Sequence, residues 1–436
     1  MKSTWIVALA VLFLINVLNF YDRNVAGALA EPMKAEFGLS DRDIGLLGSA
    51  FIWIYAIVGV PLGRLADRLS RKTILLSGLI VWSSLTAMNA LAQSFGHLMF
   101  TRLGVGVGEA VVAPAAASWI GDLFPAQKRA RALAFFMLGV PIGGALAYVC
   151  SGPAAQAFGW RTALVLAAAP ALILAPALLF LKEPARGASE EHTHSTQSGS
   201  MWSVLKVPTM WWIIASGALL NFNMYAYGTF LVSLFVRTHK ETLATAGLIV
   251  GAIYAIGGLT GGFAGGTLGD LIVRRKRNGR MLAASYIALA GMPLAYLGIQ
   301  QPNGSWLTAA ILLTLAYAAC NSYYGLVYAS IQDIVPPNLR GSAMSLYFLF
   351  MYMCGAALGP LLTGQLSDWR ARVAAERLGT ALGPEARAIG LQEAMLIIPL
   401  LSLLLAGVLW AGSRTIARDI DRRATLVAAT ATSAVA

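Results

Sequence analysis

Long apolar segments dominate this sequence, and each has about the length that crosses a bilayer as an α-helix. Of the 436 residues, 58% are hydrophobic and 12% are charged, whereas soluble domains average about 45–50% and 25%. A soluble fold of this size could not bury so much apolar surface. Because the segments are long rather than short and alternating, they predict helices and not barrel strands. The twelve predicted spans are 5–29, 43–65, 73–93, 97–120, 132–154, 162–181, 209–236, 245–267, 281–299, 306–332, 342–365 and 391–411.

The first apolar segment also has features of a secretory signal peptide: Lys2, an apolar run and a small-residue site at residues 28–30. We reject that interpretation because the segment continues through the polar residues 19–23, which a cleaved signal would not need. A polar stretch rich in Ser, Gly, His and Glu follows the sixth span and predicts a mobile linker. We therefore expect three parts: a six-helix bundle over 1–182, a cytoplasmic linker over 183–208, and a second bundle with a short tail over 209–436.

The net charge of +12 would suggest nucleic-acid binding in a soluble protein. Here the Lys and Arg residues concentrate in alternate loops, those that share a side with the N-terminus. The positive-inside rule then puts both termini in the cytoplasm. We expect a multi-pass protein of a bacterial inner membrane that contacts membrane lipids and no nucleic acid.

Two loop motifs recur along the chain. GRLADRLSRK at 63–72 and GTLGDLIVRR at 266–275 share Gly, Asp and basic residues at a constant offset of 203. DLFP at 122–125 and DIVP at 333–336, each followed by Arg, share an offset of 211. Spans 1–6 and 7–12 are therefore related, and the charged residues of the loops are typical of a cytoplasmic latch, although some of the basic residues could serve only to fix topology. The predicted gate residues are Gly63, Asp67, Arg68, Arg71, Lys72, Asp122, Arg129, Gly266, Asp270, Arg274, Asp333 and Arg340.

These repeated loops and the charged central linker resemble the major facilitator superfamily over nearly the whole chain. More narrowly, NFYDRNVAG at 19–27, RLGVGVGEA at 102–110 and DLF at 122–124 resemble the Spinster-like branch. The resemblance implies an all-α membrane protein with twelve transmembrane helices in two pseudo-symmetric six-helix bundles. It also implies a central cavity and alternating access. Members of that branch are associated with sphingolipid and lysophospholipid export or with proton-linked transport.

Four ionisable residues lie inside predicted spans: Asp22 and Arg23 on span 1, and Arg102 and Glu109 on span 4. Such residues are costly in hydrocarbon and usually line a cavity or pair with each other. The pairs could be Asp22 with Arg102 and Arg23 with Glu109, or only one of these. An offset of 211 from span 4 leads to Leu313 and Cys320, so the second half has neither charge. We predict that Glu109 binds a coupling proton, with a structural buried ion pair as the alternative.

Polar aromatic residues on spans 1, 7 and 10 predict the rest of the cavity lining, although each could instead serve packing or an interfacial belt. Glycines at 104, 106 and 108 suit close helix packing rather than nucleotide binding, since no strand precedes them. The three cysteines are predicted to be small buried residues without a disulfide. The cavity candidates are Tyr21, Asn221, Asn223, Tyr225, Tyr227, Asn321, Tyr323, Tyr324 and Tyr328.

The sequence favours a secondary transporter of a lipid-like or amphipathic anion, coupled to protons and acting as a monomer. The open alternative is a proton symporter of a hydrophilic organic acid, such as a sugar acid or aromatic carboxylate. A membrane receptor or enzyme is a remote third interpretation, because no catalytic constellation is visible. We expect no cofactor and no metal site, and a gradient rather than ATP as the energy source.

Overall fold

The computed structural model describes residues 2–185, 201–273, 276–336 and 339–433. Within these ranges twelve helices are long and apolar enough to cross a membrane, as predicted, and no residue lies in a strand. Spans 1 to 12 are Trp5–Ala28, Asp41–Gly63, Arg71–Leu91, Phe95–Leu123, Gln127–Phe158, Trp160–Phe180, Pro208–Thr238, Leu243–Gly269, Gly279–Ile299, Trp306–Ile334, Arg340–Leu378 and Pro384–Arg423. We call the side of the loop between spans 1 and 2 the outer side, following the predicted topology.

Spans 11 and 12 are longer than the sequence predicts. They contain 39 and 40 residues, which corresponds to about 60 Å of helix, whereas the hydrocarbon core is about 30 Å thick. Hydropathy detects only the apolar part of a helix, so the prediction ended at residue 365 while the helix Leu358–Leu378 continues through Asp, Arg and Glu residues.

Several spans are interrupted near their middle. Span 4 consists of helices Phe95–Glu109 and Val112–Leu123, so Glu109 ends the first of them. Spans 8 and 11 contain π-helical turns at Ile253–Gly257 and Met351–Ala356. Because π-turns leave the regular hydrogen-bond ladder, they are frequent at functional sites.

Glycines allow the close helix packing that the sequence predicts for span 4. A Cβ atom on Gly106 would lie 2.6 Å from Ile54, and one on Gly108 would lie 2.9 Å from Trp82. Real Cβ atoms do not approach so closely, so any larger residue would push spans 2 and 3 away from span 4. This part of the prediction is confirmed.

The prediction of buried cysteines is wrong for two of the three. Cys150 and Cys354 are exposed on their helices, and Cys320 is partly buried. In a membrane protein an apolar sequence context does not separate a helix face that packs on protein from one that faces outward. All three cysteines are free.

By internal contacts the chain forms two compact units. Unit 1 contains Met1–Thr193, Tyr227–Ala255 and Pro360–Ala394, and unit 2 contains His194–Ala226, Ile256–Gly359 and Met395–Ala436. Unit 1 thus holds spans 1–6 together with parts of spans 7, 8, 11 and 12. The core of unit 2 is built around buried apolar residues of spans 7, 9, 10, 11 and 12.

Candidate functional site

The four predicted charges of spans 1 and 4 lie together in unit 1. The Arg23 Nε atom donates to Glu109 Oε2 at 3.1 Å, and their side chains are 4% and 0% exposed. The Arg23 guanidinium also lies over the rings of Tyr55 and Phe20, at 4.2 and 4.7 Å from the centroids. Opposite charge and aromatic faces therefore hold Arg23 inside the protein rather than at the headgroups.

Arg102 has a different role from that of an ion-pair partner. Its Nη1 and Nη2 atoms donate to the backbone carbonyls of Asp22 and Arg23, at 2.8 and 2.9 Å. Its guanidinium stacks over the Phe51 ring at 4.5 Å. Of the two pairings left open by the sequence, only Arg23 with Glu109 is formed, because Arg102 binds the span 1 backbone instead of the Asp22 carboxylate.

Asp22 is fully buried beside this pair. The Trp82 indole and the Thr86 hydroxyl face its carboxylate. Among the described residues, neither carboxylate oxygen accepts a hydrogen bond of regular geometry. Since a buried carboxylate is costly without hydrogen-bond donors, a donor that moved next to Asp22 would stabilise its charged form.

The corresponding region of the second half carries hydroxyl groups instead of charges. In unit 2 the Tyr323 hydroxyl bonds the Ser216 hydroxyl at 2.7 Å and accepts from the Tyr347 hydroxyl at 3.2 Å. Tyr324 donates to Asn221 Oδ1 at 3.1 Å. These contacts bring together side chains of spans 7, 10 and 11.

The other cavity candidates are spread over both units. Tyr21 bonds Ser151 at 2.7 Å in unit 1. Asn223 is buried, and its amide donates to Ser402 at 3.0 Å in unit 2, so it serves packing between helices. Tyr328 stacks edge-on against Tyr347. Asn321 donates to the Tyr317 carbonyl of its own helix. Tyr225 is half-buried in unit 2, and Tyr227 is buried in unit 1.

The predicted cytoplasmic motif forms an ion cluster in the first half. Arg71 is fully buried and pairs with Asp122, and its Nε atom donates to Glu183 Oε1 at 2.9 Å. Glu183 also accepts from Ser70 Oγ and from the backbone N–H of Arg71 and Lys72, so it caps the start of span 3. Partial burial by itself raises the pKa of Glu183, but the hydrogen bonds from Ser70 and Arg71 outweigh it and lower the pKa to about 2.

In the second half the corresponding ion pair is formed by a residue that the repeat did not indicate. Asp333 pairs with Arg280 at 2.5 Å, in the first turn of span 9 as Arg71 is in the first turn of span 3. Arg423 donates to the Asp333 carbonyl at 2.8 Å. Arg274 and the side chains of Asp67 and Asp270 lie outside the described residues.

The remaining gate residues differ in their surroundings. Lys72 donates to the Leu181 carbonyl at 2.9 Å, and Arg340 donates to the Gln332 carbonyl at 3.3 Å. Arg68 is exposed, and Arg129 is half-buried. A Cβ atom on Gly63 or Gly266 would meet nothing within 4 Å, so neither glycine is required for close packing in this arrangement.

An outer ion cluster in unit 1 was not predicted. Arg237 binds both carboxylate oxygens of Asp41 at 2.8 Å and Glu31 at 2.5 Å, and Lys34 also pairs with Asp41. Ser367 donates to Asp41 at 2.6 Å. This cluster ties the start of span 2 to parts of spans 7 and 11. Its residues come from distant helix ends and share no motif, so the sequence offered no signal for it. Glu183, in contrast, follows span 6 directly and could have been paired with the basic residues at the start of span 3.

Comparison with known proteins agrees with this architecture. The chain matches the Major Facilitator Superfamily over residues 12–360. It is 30% identical over 430 residues to an MFS-type efflux pump of Mycolicibacterium smegmatis, covering 97% of this chain and 96% of that protein. It is 30% identical over 398 residues to protein spinster homolog 1 of Bos taurus, covering 82% of this chain and 72% of the relative.

A crystal structure of a bacterial homolog of the human lysosomal transporter Spinster, inward-facing and unoccupied, superposes with a TM-score of 0.87. The identity is 27%, over 96% of this chain and 99% of that one. The twelve spans, the repeated loops and these matches agree over nearly the whole length. The chain therefore belongs to the major facilitator superfamily of membrane transporters and, within it, to the Spinster-like branch.

Proposed function

We propose that this transporter couples the movement of an amphipathic anion to protons, and that Glu109 binds the coupling proton. The observation that carries the proposal is the buried Arg23–Glu109 pair at 3.1 Å. A carboxylate that is ion-paired with an arginine loses its negative charge when it binds one proton. Buried ionisable groups in transporters commonly mark proton and substrate pathways.

Protonation of Glu109 would remove the negative charge that holds Arg23. The released guanidinium could then bind a phosphate or carboxylate of the substrate through two parallel hydrogen bonds. Arg102 stays on the backbone carbonyls of Asp22 and Arg23, so it supplies a fixed positive charge beside the exchange. Asp22, which is buried and accepts no hydrogen bond of regular geometry from the described residues, is a second acceptor for the released arginine.

The tyrosine-rich region of unit 2 supports a substrate with a large apolar part. The ring of Tyr328 lies between two others: its centroid is 5.5 Å from that of Tyr324 and 5.7 Å from that of Phe348. All three side chains are partly exposed and carry no formal charge. Aromatic rings with hydroxyl tips suit an amphipathic molecule. A hydrophilic organic acid remains the second candidate, because Arg23 would bind the carboxylate of either.

We propose that the protein exports its substrate, because the chain is similar to an efflux pump. We place the protein in a bacterial inner membrane with both termini in the cytoplasm, acting as a monomer. We assign the two bundles to 1–182 and 209–436, and the clusters around Arg71 and Arg280 to the inner gate.

The test is transport in proteoliposomes under an imposed pH step, with lysophospholipids screened against sugar acids and aromatic carboxylates. Glu109→Gln should abolish the acceleration by the pH step and leave any downhill exchange of substrate. Glu393→Gln is the matched control, because this carboxylate pairs with Arg370 and Arg377 outside the charged site. Full pH-driven transport by Glu109→Gln would exclude the coupling role.

A further inference from the structure

One turn of span 1 contacts several other spans of unit 1 at once. Arg23 binds Glu109 of span 4. One turn later Gly27 packs on the backbone of span 7, where a Cβ atom on Gly27 would lie 2.1 Å from the Gly228 carbonyl oxygen. Between these two contacts, Asn24 faces span 5. Because the three residues share one helical turn, a rotation of that turn changes all of its contacts together.

Tyr148 of span 5 connects this turn to span 7. Its buried hydroxyl lies 2.6 Å from the Gly228 carbonyl oxygen and 3.1 Å from Asn24 Oδ1. The Asn24 amide donates to the Phe20 carbonyl at 2.8 Å, which fixes Oδ1 as the atom that faces Tyr148. The Gly228 carbonyl and Asn24 Oδ1 are both acceptors, and the Tyr254 hydroxyl of span 8 also faces this group. Since a phenol has one proton, the Tyr148 proton serves span 1 and span 7 alternately or as one shared bond.

We propose that Tyr148 is a positioning residue that transmits the loss of the Arg23–Glu109 pair to the contact between spans 1 and 7. This rests on the proposed function of Glu109. With the pair intact, the turn is fixed and the Tyr148 hydroxyl links three spans. When Glu109 is protonated, the turn loses its side-chain contact through Arg23, although Arg102 still binds its backbone. Asn24 is then less constrained, and the link that helps to hold Gly27 on Gly228 weakens.

Different groups surround Glu109 and Tyr148, the two ends of this link. Glu109 faces Arg23, Arg102, Asp22 and the Asn19 amide. Tyr148 faces Tyr254 of span 8, with ring centroids 4.9 Å apart. Of these charged groups, Asp22 and Arg23 lie on span 1 beside Asn24, and Arg23 is the one paired with Glu109. The proton signal therefore reaches Tyr148 through this turn.

The experiment measures the distance between spin labels at Ala35 and Lys240, two exposed positions that follow spans 1 and 7. The background lacks the three native cysteines. Distances are recorded across a pH series for the parent, Tyr148→Phe, Glu109→Gln and the double variant. Ser151→Ala is the control, because it removes a hydrogen bond between spans 1 and 5 that does not involve span 7.

Tyr148→Phe should increase the long-distance population between about twofold and tenfold, which is the range for loss of a neutral hydrogen bond. It should also flatten the pH dependence of that population. In the Glu109→Gln background the same substitution should add less than twofold, because the two changes act on one link. Ser151→Ala should leave the distribution unchanged.

Two results would overturn the proposal and are distinguishable. Equal effects of Tyr148→Phe with and without Glu109→Gln would show that Tyr148 only supports packing, while the coupling role of Glu109 would stand. If Glu109→Gln alone altered neither the distances nor pH-driven transport, the proposed function would fail, and the role of Tyr148 with it.

Discussion

The two halves of this chain solve the same packing problem with different chemistry. Where spans 1 and 4 of the first half bury Asp22, Arg23, Arg102 and Glu109, span 10 of the second half has the uncharged residues Leu313 and Cys320 at the positions that correspond to span 4. Nearby in unit 2, hydroxyl groups bond each other instead. A duplicated scaffold does not need charges in one copy only.

The difference assigns separate tasks to the halves. Buried ion pairs are weak sources of net stability, because desolvation offsets most of their attraction. They are costly to break on one side, however, and they respond to a proton. A tyrosine cluster has the opposite properties. It buries large rings, its hydroxyl groups hydrogen-bond to each other, and it stays uncharged. We therefore expect coupling to depend on the first half, and stability with apolar binding to depend on the second.

The strongest test of this comparison replaces Arg102 by leucine, the residue at the corresponding position of span 10. Arg102→Leu removes the charge beside Glu109 and both hydrogen bonds to the span 1 backbone. Hydrogen bonds to a charged group contribute about 1.5–3 kcal/mol each, so the loss of two costs about 3 kcal/mol or more, which corresponds to more than 100-fold in an equilibrium. Initial rates of pH-driven transport in proteoliposomes should therefore fall at least about 100-fold.

Arg372→Leu controls for the loss of a positive charge, because Arg372 is exposed on the outer part of span 11. Arg102→Lys should recover part of the activity, since it restores the charge but not the fork of two donors. Near-normal rates for Arg102→Leu would mean that the halves do not differ in the way proposed.

A smaller effect is expected in the uncharged half. Tyr323→Phe removes a hydroxyl that contacts Ser216 and Tyr347, which should lower the free energy of unfolding by about 1 kcal/mol. Thermal unfolding in detergent measures this loss. The pH dependence of transport should not change, because no charge is altered. Tyr286→Phe, on an exposed ring, should have no effect on unfolding, and a changed pH profile for Tyr323→Phe would contradict the division of tasks.

The sequence was sufficient to predict the fold and to locate the four buried charges, and the reason is the same for both. Twelve apolar segments of bilayer length leave few alternatives to helices, and charges inside such segments stand out. It could not determine that Arg102 binds carbonyls rather than Asp22, because side-chain partners depend on helix rotation and depth. It could not find the outer cluster of Asp41, Arg237 and Glu31 either, since polar residues near loops give no periodic signal.

The inner ends of the halves repeat the contrast on a smaller scale. In the first half Arg71 holds two carboxylates, Asp122 and Glu183. In the second half Arg280 pairs with Asp333, and Arg280 is a residue that the offset of 203 did not indicate. Offsets taken from one motif thus locate loops but not every residue in them.

The smallest predicted effect comes from Glu183, the carboxylate that the linker prediction overlooked. Its pKa in the folded protein, about 2, lies below the ordinary value of 4.5. The unfolded chain therefore binds the proton more readily, and the carboxylate stabilises the fold at pH values above 4.5 and loses that contribution as the pH falls toward 2. Because the group is partly exposed, we expect its contribution to the free energy of unfolding to be less than about 1 kcal/mol at neutral pH.

Thermal unfolding measured from neutral to acidic pH should show Glu183→Gln less stable than the parent at neutral pH and equal to it near pH 2. Glu393→Gln provides the comparison, because this carboxylate of span 12 pairs with Arg370 and Arg377 away from the inner cluster. A constant difference between Glu183→Gln and the parent across this range would mean that the amide disturbs packing and that the charge on Glu183 contributes nothing to the inner cluster.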